Sequence, residues 1–100
     1  MTFNEQEKHL LLTVAKDAIL HGLEQGRSIK LDLAKFPATL TQAGASFVTL
    51  EKQGSLRGCI GTLQAYQPLA QDVADHAYAA AFDDPRFHRI EATEIGRAHV

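Results

Sequence analysis

Between Asn4 and Gln25 the apolar residues recur at helical spacing. Leu11, Val14, Ala15, Ala18 and Leu23 fall near one face with Leu12 and Ile19 alongside, while Glu7, Lys8, Lys16, Asp17 and Glu24 lie elsewhere. Thr2 or Asn4 offers an N-cap, Gly22 weakens the last turn, and Gly26 supplies the left-handed residue that closes a helix, so the pattern predicts a scaffold helix ending near Gln25. From Arg27 to Phe36 the alternation is partial and stops at Pro37, which predicts an extended segment or a short helical turn before a loop. After Gly44 the period shortens to two: Phe47-Val48-Thr49-Leu50 has strand propensity, Gln53-Gly54 supplies a turn, and Ser55 to Leu63 returns as its hairpin partner. Past Pro68, the residues Leu69, Val73, His76, Ala77 and Ala80 recur every three or four positions down to Phe82. They predict a second, alanine-rich helix that packs closely, stopped by Asp83-Asp84-Pro85, after which Arg86 to Ile90 opens a loop or strand.

At 100 residues, 45% of them hydrophobic, the chain has material for one small core and no second domain. Ten Lys and Arg against twelve Asp and Glu leave a net charge of −2, so no basic field draws in nucleic acid, and none is expected as a partner. No apolar run approaches the roughly 18 to 20 residues that span a bilayer, so no membrane insertion is expected. One cysteine forms no internal disulfide, and Met1-Thr2-Phe3-Asn4-Glu5 lacks the basic and apolar regions of a secretory signal, so the expected location is cytoplasmic.

The candidate chemistry lies in Leu56-Arg57-Gly58-Cys59-Ile60-Gly61-Thr62. Strict strand alternation puts Arg57, Cys59 and Gly61 on one face and Leu56, Gly58 and Ile60 on the other, which makes Arg57 a neighbour of Cys59. A free thiol titrates near 8.5, and a nearby cation lowers that by about a unit or more, giving a nucleophile or a thiolate ligand. Gly58 and Gly61 would let a substrate or another backbone approach, at roughly 0.5 to 1 kcal/mol each in strand stability. The competing reading is a small buried cysteine with glycines that serve a bulge or close sheet packing. His76 and the Asp83-Asp84-Pro85-Arg86 element are candidates to complete a constellation, with the alternatives of a partly buried helix histidine and a loop-fixing ion pair. His9 and His21 have no Glu or Cys at ligand spacing, so no metal site is expected there, and no phosphate loop, nucleophile elbow or paired zinc motif is present.

The run Phe47-Val48-Thr49-Leu50, the Gly54 turn, the Cys59 heptapeptide and Ala79-Ala80-Ala81-Phe82-Asp83-Asp84-Pro85-Arg86-Phe87 together resemble the AMMECR-type domain, whose bacterial and archaeal members are called AmmeMemoRadiSam system protein A. The resemblance covers Leu10 to about Glu91. It implies an α+β fold, an antiparallel sheet with packed helices, of which residues 1–93 form the amino-terminal part of a two-subdomain whole. It places the cysteine motif at a cavity between subdomains. In such a cavity Cys59, as nucleophile or thiolate ligand, and Arg57, holding an anionic group or lowering the thiol pKa, are the expected catalytic residues, and Gly58, Gly61, Asp84 and Arg86 the expected substrate-binding ones. The family name implies association with a Memo-like protein and a radical S-adenosylmethionine enzyme but no defined reaction or cofactor, so the expected function is an enzyme or enzyme component acting on a small molecule, or alternatively a non-catalytic partner domain for one of those two proteins. One cysteine could not hold an iron–sulfur cluster alone. Ile95-Gly96-Arg97-Ala98-His99-Val100 can be encoded by a DNA word that begins a widely used sequencing adapter, so residues 94–100 are read as a non-native tail and His99 is given no metal role.

Overall fold

The first periodic stretch forms α1, Glu5–Gln25, in a computed structural model that describes residues 3–91 and the backbone of 98–99. Asn4 starts it with a capping box: its side chain accepts the Glu7 amide at 2.8 Å while the Glu7 carboxylate accepts the Asn4 amide at 2.8 Å. Glu7 also accepts the Thr39 hydroxyl, and these two bonds, the Thr39 one first, hold its carboxyl below the usual range. Replacing Asn4 by alanine is expected to lower stability by about 1 kcal/mol, read from urea unfolding midpoints, whereas Asn4→Ser keeps an acceptor and most of that stability. At the other end Gly26 takes φ 71°, the left-handed closure expected from the sequence.

Residues 27–41 resolve into irregular chain, a 3-10 turn at Leu33–Lys35 with Asp32 as its cap, and the single-turn helix α2, Ala38–Thr41, which follows Pro37. The hairpin comprises β1, Phe47–Lys52, and β2, Ser55–Gly61. Its turn residues Gln53 and Gly54 have φ 54° and 81°, the paired left-handed conformation whose twist matches that of the strands. Next comes α3, Leu69–Phe82. A two-residue strand β3, Ala98–His99, pairs antiparallel with β1 and gives the order β2-β1-β3, which leaves β2 at an edge. The rest of the tail, 94–97 and 100, lies outside the described residues.

The helices and the antiparallel sheet make an α+β architecture in which α3 lies between α1 and the hairpin. That position explains its composition. Ala70, Ala74, Ala77, Ala80 and Ala81 are all buried, and small side chains on several sides let both neighbours close on the helix axis. Val48 and Leu50 of β1 meet Val73 and Leu40 in the resulting core. Gly22 serves the other side: a Cβ there would lie 2.8 Å from the Tyr78 ring and 2.5 Å from that of Phe82, so the residue that weakens α1 is what admits these aromatics. Among the described residues no helix is long and apolar enough to cross a membrane.

Candidate functional site

The hairpin does not alternate uniformly. Its turn pairs Lys52 with Ser55 and Glu51 with Leu56, but the next pair is Leu50 with Gly58, so Arg57 is an extra residue, a β-bulge. Without it a two-residue turn would set Cys59 opposite Val48, a core residue. With it Cys59 lies opposite Thr49, on the side of the sheet facing away from α3. The expected sharing of a face by Arg57, Cys59 and Gly61 is therefore corrected: the bulge breaks the alternation at Arg57, and Leu56 joins Cys59 and Gly61 while Gly58 and Ile60 turn to the helices.

Cys59 is half-buried, with Sγ 3.5 Å from the Thr49 hydroxyl. Its amide points outward from the edge strand and donates to Asp84 Oδ2 at 3.0 Å. Asp84 is 4% exposed and is the hub of the element that follows α3. Its Oδ1 accepts the Arg86 amide and Arg86 Nε, each at 3.1 Å, and its Oδ2 accepts Arg86 Nη2 at 2.8 Å. The forked guanidinium bonds drive the Asp84 carboxyl far below the ordinary carboxylate range; desolvation opposes this, and the Cys59 and Arg86 amides add to it. The same bonds raise Arg86 above its usual value, to which the nearby Cys59 also contributes. Asp84 thus caps an edge amide of β2 and fixes an arginine beside the cysteine.

Arg57 does something else. It is 6% exposed, gives Nη2 to the His88 carbonyl at 2.8 Å, and lies over the Phe87 ring, with Arg86 also 5.4 Å from that ring's centre. It anchors residues 86–88, which form a loop and carry no strand. The glycines of the motif are set by packing: a Cβ on Gly58 would overlap the Ala80 carbonyl oxygen of α3, and one on Gly61 would overlap the Phe47 ring. The structure therefore brings Cys59, Asp84 and Arg86 together and sets Arg57 and Gly58 to supporting them from behind.

His76 does not join that group. Its Nδ1 lies 3.1 Å from Ser46 Oγ and 3.2 Å from Asp72 Oδ2, on the helix side of the sheet. A serine, a histidine and an aspartate in contact invite a triad reading, yet the same ring nitrogen faces both partners and Ser46 donates directly to Asp72 at 2.7 Å. A relay needs the histidine between the other two. Asp72, fully buried, also accepts Gln67 Nε2 at 3.1 Å, so the group is a polar tie between α3 and the chain entering β1. The sequence held a signal for it in the i,i+4 spacing of Asp72 and His76; for Thr49 it held none, since the partner of Cys59 depends on the bulge.

A cleft of about 810 Å³ beside residues 27–33 has Gln71 and Asp75 in its wall. Gln71 bonds Leu31 N, Ile29 O and Asp75, and Asp75 also accepts Ser28 and Gln67, so these groups already serve the fold. Among the described residues no three His, Cys, Asp or Glu side chains cluster as a metal site would require.

The AMMECR1 family model matches residues 12–100 of the chain. Protein SSO0193 of Saccharolobus solfataricus is 43% identical over 97 residues, covering 92% of this chain and 41% of its own length. A protein of Aeropyrum pernix is 33% identical over 101 residues, covering 97% and 42%. The crystal structure of the uncharacterised protein PH0010 from Pyrococcus horikoshii superposes with a TM-score of 0.87 at 30% identity, over 96% of this chain and 49% of that one. The chain spans less than half the length of these relatives.

Proposed function

Because the chain belongs to the AMMECR1 family, we propose that it acts, as an enzyme or as part of one, on a small molecule through the Cys59 thiol. The bulge at Arg57 carries this reading: it turns the only cysteine from the core side of the sheet to the open side. There the thiol has a hydroxyl neighbour, Thr49, and an arginine held in place by a buried carboxylate. A cysteine kept merely as a small apolar filler would be better served opposite Val48. In this scheme Cys59 is the catalytic nucleophile or ligand and Arg86 with Asp84 borders the substrate. Arg57, Gly58 and Gly61 shape the strand that presents the thiol, Arg57 from behind through Phe87 and His88.

Native-state alkylation tests the proposal. Iodoacetamide is expected to label Cys59 in the folded chain at a rate within about tenfold of the urea-unfolded chain. Labelling that requires prior unfolding would sink the small-molecule reading.

A second reading rests on the same face. Phe47 and Leu56 are 50% and 44% exposed there, flanking Cys59, which favours a non-catalytic surface docked on another protein. A Memo-like protein or a radical S-adenosylmethionine enzyme, implied by the resemblance to AmmeMemoRadiSam system protein A, is the partner class to try. Loss of co-purification in Phe47→Ser with unaltered thiol labelling would favour this reading.

A further inference from the structure

Arg86 is held along one edge only. Nε and Nη2 bind the two oxygens of Asp84, a side-on fork, while the side chain remains 54% exposed. The opposite edge of the guanidinium, between Nη1 and the outer N–H of Nη2, has no hydrogen-bond partner among the described residues. Asp84, by contrast, is buried, and it is further fixed by the Cys59 and Arg86 amides. The guanidinium and the Cys59 backbone meet at one oxygen, Asp84 Oδ2. A planar donor edge that is pre-oriented, carried on a side chain more than half exposed and joined through Asp84 Oδ2 to the backbone of the cysteine, is matched by a carboxylate, whose two oxygens accept parallel bonds.

We propose that Arg86, aimed by Asp84, selects carboxylate-bearing molecules for the Cys59 site, with Asp84 as a positioning residue. This rests on the reading of Cys59 as the reacting group and adds the class of molecule it receives. Because Asp84 offsets the charge of Arg86, the selectivity is short-ranged and depends on the fork's orientation more than on a cationic field.

Paired alkylating probes test it: iodoacetate, which carries a carboxylate, and iodoacetamide, its neutral isostere. In both, the thiolate sulfur displaces iodide and forms the S–CH2 bond, and the thiol proton goes to buffer. The ratio of iodoacetate to iodoacetamide rates in the folded chain is expected to exceed that of the urea-unfolded chain by about fivefold. Arg86→Gln should return the ratio to the unfolded value, since any change in thiolate fraction alters both rates alike and cancels in the ratio, and Arg86→Lys, a point charge without the fork, should restore only part of it. Arg89→Gln, at an arginine lying over Phe82, should leave the ratio unaltered.

Asp84→Asn separates positioning from charge. It keeps an acceptor for the Cys59 amide and removes a negative charge, so a charge effect alone would raise the ratio and the loss of a fixed fork would lower it; a rise overturns the positioning role. Equal ratios in folded and unfolded chain, with iodoacetamide still reactive, overturn the carboxylate selectivity and leave the thiol site standing. Failure of both reagents in the folded chain overturns both.

Discussion

Gly58→Ala is expected to destabilise the chain by about 3 kcal/mol or more, the largest effect of any single methyl addition here. The added Cβ would overlap the Ala80 carbonyl oxygen and lie 2.9 Å from the carbonyl carbon, both backbone atoms of α3. No rotamer change relieves a clash with backbone. The hairpin would have to lift from the helix, opening the layer in which Val48, Leu50, Ala77 and Ala80 are buried. Two other glycines of the same hairpin serve as controls. Gly61→Ala meets chiefly the half-exposed Phe47 ring, which can swing out, although Ser46 O also lies close, so a smaller loss is expected. Gly54→Ala meets nothing within 4 Å and bears only the strain of φ 81°, about 1 kcal/mol. Urea unfolding of the three variants should rank them in that order. Equal losses at Gly58 and Gly54 would mean that α3 does not press on β2 as described.

Asp84→Asn is expected to lower the thermal midpoint at neutral pH by an amount of the order of 10 °C and to flatten the acid limb of the stability curve. In the folded chain the carboxyl titrates far below its ordinary value of 3.8, chiefly because of the Arg86 fork. A group whose folded pKa is depressed binds its proton more readily in the unfolded state. Its stabilisation is therefore complete above the unfolded value and is lost as pH falls from there through the folded one. The wild-type chain should lose stability steadily below about pH 4, and Asp84→Asn should lose less over the same interval. Glu7, also depressed, contributes to the acid limb of both chains, so the difference between the two curves isolates Asp84. Parallel curves would show that Asp84 is not tied to Arg86 in solution.

Much of the framework was legible along the chain because its signals are local. Asn4 and Gly26 mark the ends of α1 through their own cap geometry. Gln53-Gly54 fixes the turn because a two-residue loop of that handedness needs residues tolerant of positive φ. Pro68 and the Asp83-Asp84-Pro85 run bound α3 for the same kind of reason. Less of residues 27–41 could be read, since a 3-10 turn and a single-turn helix are too short for periodicity to register. Within the candidate site, the sequence marks Cys59, Asp84 and Arg86, while unbroken alternation points to Arg57 as the cation on the thiol's face, which the bulge overturns.

What the sequence determined alone is the three longer elements, their order and the residues able to do chemistry: a capped first helix, a hairpin bearing one thiol between two glycines, and an alanine-rich helix running into Asp84 and Arg86. What tertiary structure decided is which way the thiol faces and which cation stands beside it. Turn geometry by itself would send Cys59 into the core. The close approach of α3 leaves room only for glycine opposite Leu50, and Phe87 and His88 receive the side chain of Arg57, so one residue is extruded as a bulge and every side chain beyond it changes face. Such a one-residue shift costs little locally and is set by contacts across tens of residues of chain, which local pattern does not encode.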